Sequence, residues 1–140
     1  ASFFGMVAGV YHWFPKMYGK MMNKHMGYLH FWLTAISAYG VFFPMHFLGL
    51  AGLPRRYYEN TAFPIFDDLL QINKVITVFA LIGGVAQLIF LANFFISIKR
   101  GQKAVQNPWK GNTLEWTTPV EHIHGNWPGE IPEVHRWAYD

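Results

Sequence analysis

The sequence predicts an all-α membrane protein, and three observations carry that prediction. Charged residues make up only 14% of the 140-residue chain, against 52% hydrophobic and 19% aromatic residues; soluble domains carry roughly 25% charged residues. The charges are missing altogether from residues 1–15, 25–54 and 75–98. The two longer stretches can each cross a bilayer, because ~30 Å of hydrocarbon at about 1.5 Å per helical residue needs about 20 residues. A disordered tail, a collagen-like repeat and an ordinary water-soluble fold are excluded. The chain contains no cysteine, which excludes disulfide scaffolds, thiolate zinc sites and thiol redox chemistry.

The elements follow in order. Residues 1–15 are apolar up to Tyr11 and close on Pro15. Fifteen helical residues cover only about 22 Å, so they are expected to be the end of a truncated span. No basic n-region or small-residue cleavage site marks them as a signal peptide. Residues 16–26 form a loop carrying Lys16, Lys20 and Lys24. Residues 27–53 form a transmembrane helix. Tyr28, Trp32, Tyr57 and Tyr58 lie near its ends, where amphipathic rings favour the interface. Residues 54–73 form an outer loop with Glu59, Asp67 and Asp68. Residues 74–98 form a second transmembrane helix, bracketed by Lys74 and Lys99, and 99–140 an extended C-terminal tail rich in Pro, Trp and His. The tail is expected to pack against something rather than to fold alone.

The lysines of 16–24 and the Lys99, Arg100, Lys103 cluster fall on one side if the chain crosses twice between them. The positive-inside rule makes that side cytoplasmic. Arg55 and Arg56 then lie on the outer side, against the rule, and need a local anionic partner. Within the spans, His30, Thr34 and Ser37 share one helix face, and Thr77, Ala80, Gly84 and Gln87 share another. Ala80 and Gly84 form a small-x-x-x-small pair that favours close helix approach. Both faces are expected to point at neighbouring helices. Pro44 removes a backbone donor and is expected to kink its helix.

Several residue sets bear on chemistry. His122-x-His124 with His135 has metal-ligand character, and His25-x4-His30 faintly resembles one box of a membrane di-iron site. His12 and His46, on two helices, are candidates for axial haem ligands. Packing and hydrogen bonding are the ordinary roles for all of them. Arg55-Arg56 is the stronger signal, because adjacent guanidiniums present forked donors suited to carboxylates and phosphates. Lipid headgroup contact is its simplest use.

The run His30-Phe31-Trp32-Leu33-Thr34, then Phe42-Phe43-Pro44, then His46-Phe47-Leu48-Gly49-Leu50-Ala51-Gly52-Leu53-Pro54-Arg55-Arg56-Tyr57 closely resembles subunit I of cytochrome c oxidase, the catalytic subunit of the haem–copper oxygen reductases. His12-Trp13-Phe14-Pro15 resembles the end of that family's tenth helix, and Asn112-Thr113-Leu114-Glu115-Trp116 its post-helix stretch. The resemblance covers nearly the whole chain and weakens after Pro119. It implies that the chain is the C-terminal part of a twelve-helix bundle and that its two full spans are the eleventh and twelfth helices. It implies a parent reaction that passes electrons from cytochrome c to oxygen, forms water and pumps protons. The cofactors would be two haems and copper, with their histidine ligands upstream of Ala1 and none of His12, His25, His30 or His46 among them.

The resemblance also implies that Arg55 and Arg56 contact haem propionates, with Phe42 and Met45 as candidates to wall a haem. Met45 stands where the family usually has Gln. The implied partners are the remainder of subunit I, other oxidase subunits, cytochrome c and membrane lipids, with no nucleic acid. The implied location is a bacterial inner membrane, or else the mitochondrial one. The competing readings are a small non-catalytic membrane subunit packing against a respiratory enzyme, and a diverged haem- or metal-binding membrane protein using His12 and His46.

Overall fold

A computed structural model describes residues 2–54, 56 and 64–118. Among them it contains three α-helices, α1 (Ser2–Tyr18), α2 (Lys24–Leu50) and α3 (Leu70–Arg100), and two 3-10 helices, η1 (Pro64–Leu69) and η2 (Leu114–Trp116). No strand occurs among the described residues; a single antiparallel bridge joins Lys20 and Lys103. The α2 helix and the continuous run Pro64–Arg100 are both long and apolar enough to cross a membrane. Only 17% and 11% of their apolar windows are buried within the chain. The core helix of a soluble domain would be mostly covered, so these surfaces suit a lipid or protein surround.

Helix ends do not coincide with the charge boundaries. α1 runs through Pro15 to Tyr18. It closes when Gly19, at φ +63, donates its N–H to the Pro15 carbonyl at 2.8 Å, a left-handed cap that glycine adopts without Cβ strain. α2 continues past Pro44 and stops at Leu50, short of the end of the charge-free stretch. Among the described residues, helical structure resumes at Pro64, well before Lys74. Proline fits a first helical turn, and Asp67 and Asp68 complement the positive helix N-terminus. Charge marks where a segment can be buried in lipid. Backbone hydrogen bonding and caps decide where the helix stops.

The chain divides into two compact units, residues 24–93 and residues 1–23 with 94–140. In the first unit α2 packs antiparallel on α3. Gly40 lies against the Phe79 ring, a Cβ built at Gly83 would come 2.8 Å from Ser37 Oγ, and His30 and Phe90 rings lie 5.1 Å apart. His30, Thr34 and Ser37 are buried, as their shared face predicts. Apart from Gln87, the Thr77, Ala80, Gly84 row is not the one that meets α2. Thr77, Ala80 and Gly84 are exposed within the chain, and nothing lies within 4 Å of a Cβ at Gly84. Gly83 is the glycine that meets α2, and of the expected row Gln87 alone faces it. Both rows obey helical periodicity, so spacing could not rank them. The match of Gly83 to Ser37 and of Phe79 to Gly40 decides.

The second unit packs residues 101–118 on α1 and the end of α3. Phe14 is fully buried, with Tyr18 and Phe94 rings at 4.9 and 5.5 Å. Met21 donates its N–H to the Gln102 carbonyl and Ala104 to that of Gly19, at 2.8 and 2.9 Å. Lys20 Nζ donates to the last carbonyls of α3, Ile98 at 2.6 Å and Lys99 at 3.1 Å. A cation there satisfies orphan carbonyls at the negative end of the helix.

Candidate functional site

The arginine pair lies just beyond the turn at residues 51–54 that ends α2, and the local sequence explains how. Gly52 has φ +83. Its N–H donates to the Gly49 carbonyl at 3.1 Å and that of Leu53 to Leu48 at 3.1 Å. These two bonds define a Schellman terminator, with Gly52 as the left-handed residue. Leu48 is buried and Leu53 half-buried, the apolar pair that accompanies this motif. Pro54 has no N–H to continue the helix and biases Leu53 away from helical torsions. Arg56 is exposed, with a second left-handed backbone at φ 60. No carboxylate pairs with it among the described residues. Arg55 lies outside the described residues.

Phe42 and Met45 sit on the outer surface of α2, 64% and 44% exposed. They are spaced i, i+3, so they share a face. His46, close by, uses Nδ1 to bond the Phe42 carbonyl at 2.9 Å. A carbonyl only accepts, so Nδ1 carries the proton.

Buried polar groups in the first unit form a connected set. Gln87 Nε2 donates to the Gly83 carbonyl at 3.1 Å and to Thr34 Oγ1 at 3.2 Å. That orientation turns Gln87 Oε1 toward His30 Nε2, at 3.3 Å, so Nε2 is the donor. Ser37 Oγ donates to the Thr34 carbonyl at 2.9 Å. Within a bilayer, paired polar groups of this kind hold helices together.

In the second unit the His12-Trp13 motif of α1 meets η2. Trp13 Nε1 donates to Glu115 Oε2 at 3.0 Å, and His12 Nε2 lies 3.6 Å from Glu115 Oε1. Trp109 Nε1 donates to the His12 carbonyl at 2.9 Å, and the two rings stack at 5.9 Å. Lys16 Nζ reaches the Glu115 carbonyl and Thr118, and lies 5.7 Å from the buried Trp116 ring. The Trp13 N–H, first of all, holds the Glu115 carboxyl below the usual carboxylate range, helped by Thr113 and His12 against some desolvation. Burial lowers the Lys16 amine, opposed by Glu115. The sequence motifs were visible separately. Their convergence was not, because nothing local links positions so far apart.

The chain's own residues do not assemble a metal centre among the described positions. No group of three or more His, Asp or Glu side chains gathers there. His12 is held by Glu115 and tryptophans, His30 by Gln87 and His46 by its own helix, while His25 is exposed and His30 buried. His122, His124 and His135 lie outside the described residues. Iron or copper ligation is a poor fit for His12, His30 and His46, whose ring nitrogens are engaged as described. An anionic group beside Arg56 is a good one.

The family described as cytochrome c and quinol oxidase polypeptide I matches residues 1–86. The alternative cytochrome c oxidase subunit 1 of Bradyrhizobium diazoefficiens is 48% identical over 138 residues, covering 96% of this chain and 23% of that protein. Cytochrome c oxidase subunit 1 of Thermostichus vulcanus is 41% identical over 140 residues, covering 99% of this chain and 24% of the relative. The corresponding Synechocystis protein is 42% identical over the same length and shares. The chain thus spans about a quarter of the length of these relatives. Similarity this extensive, carried by the segment that includes the arginine turn, means that the chain belongs to the cytochrome c and quinol oxidase polypeptide I family.

Proposed function

We propose that the chain is the C-terminal segment of the catalytic subunit of a terminal oxidase that passes electrons from cytochrome c to oxygen, forms water and pumps protons. The names of the relatives support cytochrome c over a quinol as the donor. In this reading α2 and α3 are the eleventh and twelfth spans of a twelve-helix subunit in a bacterial inner membrane. The ends carrying Lys16–Lys24 and Lys99–Lys103 are cytoplasmic, and the arginine turn is outward. The remainder of the subunit, sister subunits and lipids cover the exposed apolar faces. Bound haem would supply the redox-active iron, and copper the second metal, with ligands from outside this segment.

Arg55 and Arg56 hold the propionates of a haem, and Phe42 and Met45 wall its ring. The observation that carries this reading is the exposed Arg56, without a carboxylate partner among the described residues, directly after a sharply terminated helix. Guanidiniums bind carboxylates through forked, charge-assisted hydrogen bonds, which lets the carboxylates stay ionised in a low-dielectric setting. Fixed positive charge also favours the form of the centre that has gained an electron. Each 1 kcal/mol of such stabilisation corresponds to roughly 40 mV for a one-electron couple. Arg55→Met and Arg56→Met in the full-length oxidase are each expected to lower a haem midpoint potential by some tens of millivolts, read by optical redox titration. Unchanged potentials in both variants would remove the clamp.

A further inference from the structure

We infer that Gly52 is a positioning residue for Arg56: its left-handed backbone sets the direction in which the chain leaves α2 toward that side chain. The inference rests on the clamp reading above and deepens it.

Gly52 has φ +83, and a Cβ there would meet nothing within 4 Å among the described residues. Space therefore does not require glycine at this position. The torsion does, because an L side chain is strained there. The same torsion brings Gly52 N–H onto Gly49 and Leu53 N–H onto Leu48, each at 3.1 Å. If residue 52 returned to negative φ, both bonds would be lost and α2 would extend toward Leu53. Each added helical residue turns the following chain by about 100° around the axis. Pro54 blocks further extension. Pro54 thus limits how far the helix can run, and Gly52 decides where the chain points when it stops. Arg56 follows at φ 60. Pro54 fixes one of the backbone torsions between Gly52 and Arg56, so a change of direction at Gly52 moves the backbone that carries the guanidinium. Gly49 is a matched contrast: it is helical, has ordinary torsions and also has nothing within 4 Å of a Cβ.

The test uses the full-length holo-oxidase with Gly52→Ala, Gly52→Asn, Gly49→Ala, Arg56→Met and the double variant Gly52→Ala/Arg56→Met. Haem midpoint potentials are read by optical titration, and hydrogen exchange is read at the Gly52 and Leu53 amides. Gly52→Ala is expected to lower the potential in the same direction as Arg56→Met and to lose amide protection. Asn tolerates left-handed torsions, so Gly52→Asn is expected to restore most of both readouts. Gly49→Ala is expected to change neither. The double variant is expected to match Arg56→Met alone, since both act through one guanidinium. Should Gly52→Ala prevent assembly, Gly52→Ser runs the same cycle. A parental potential in Gly52→Ala or its substitute Gly52→Ser, or a drop that simply adds to that of Arg56→Met, overturns the positioning role. A flat response to Arg56→Met instead overturns the clamp on which it rests.

Discussion

Trp13 donates its indole N–H to the carboxylate of Glu115 at 3.0 Å, across a separation of 102 residues. The bond ties α1 to the η2 turn. His12 and Trp109 lie beside it, and Lys16 reaches the η2 backbone. A single hydrogen bond contributes about 0.5–1.5 kcal/mol. Trp13→Phe keeps an aromatic ring and removes the donor. It should loosen residues 106–118, with protease cleavage there faster by roughly fivefold for 1 kcal/mol lost. An unchanged cleavage rate would mean that ring packing alone holds the turn.

The same contact has a pH dependence of defined sign. Trp13 holds the Glu115 carboxyl below its ordinary value of 4.5. A depressed carboxyl contributes stability that is fully present above the ordinary value and is lost as pH falls through the lowered one. Hydrogen exchange across residues 106–118, corrected for its intrinsic pH dependence, should therefore rise below pH 4.5. Glu115→Gln should flatten that acid response. A persistent acid response in Glu115→Gln would move the effect to another group.

Gly40 carries the close approach of α2 to α3. A Cβ there would collide with the ring of Phe79. Overpacking of this kind costs about 1–3 kcal/mol. Gly40→Ala should lower the thermal stability of the assembled protein in detergent. An unchanged stability in Gly40→Ala would contradict the observed register.

Gln87 joins three groups, His30, Thr34 and Gly83. Interhelical polar contacts in membranes average about 0.6 kcal/mol each and reach roughly 1.7. Gln87→Leu should destabilise the α2–α3 pair by about 1 kcal/mol. The expected coupling with Thr34→Val in a double-mutant cycle is non-zero; strict additivity would show that Gln87 and Thr34 do not share a bond of consequence.

Much of this was legible in the residues. Charge-free stretches marked both long apolar helices, and the spacing of His30, Thr34 and Ser37 identified the buried face of α2. The run from His46 to Tyr57 pointed to the family before any fold was known. The Gly52-Leu53-Pro54 terminator was readable as a helix stop, yet the apolar run hid it and drew the expected helix on to residue 53. Hydropathy does not register backbone torsion. Size and spacing marked the Ala80–Gly84 row as a helix-facing surface, and they did not mark Gly83, which meets α2 opposite Ser37.

The sequence by itself determined the helical membrane character, the family and the chemistry offered at the arginine turn. Composition and short-range order carry these, since burial in lipid, helix caps and motif identity depend on neighbours in the chain. Tertiary structure decided which α3 row meets α2, and it joined the His12-Trp13 and Leu114-Glu115-Trp116 motifs into one cluster. Helical periodicity leaves several rows equivalent, and it says nothing of partners a hundred residues away. Only the fit of one surface against another breaks that degeneracy.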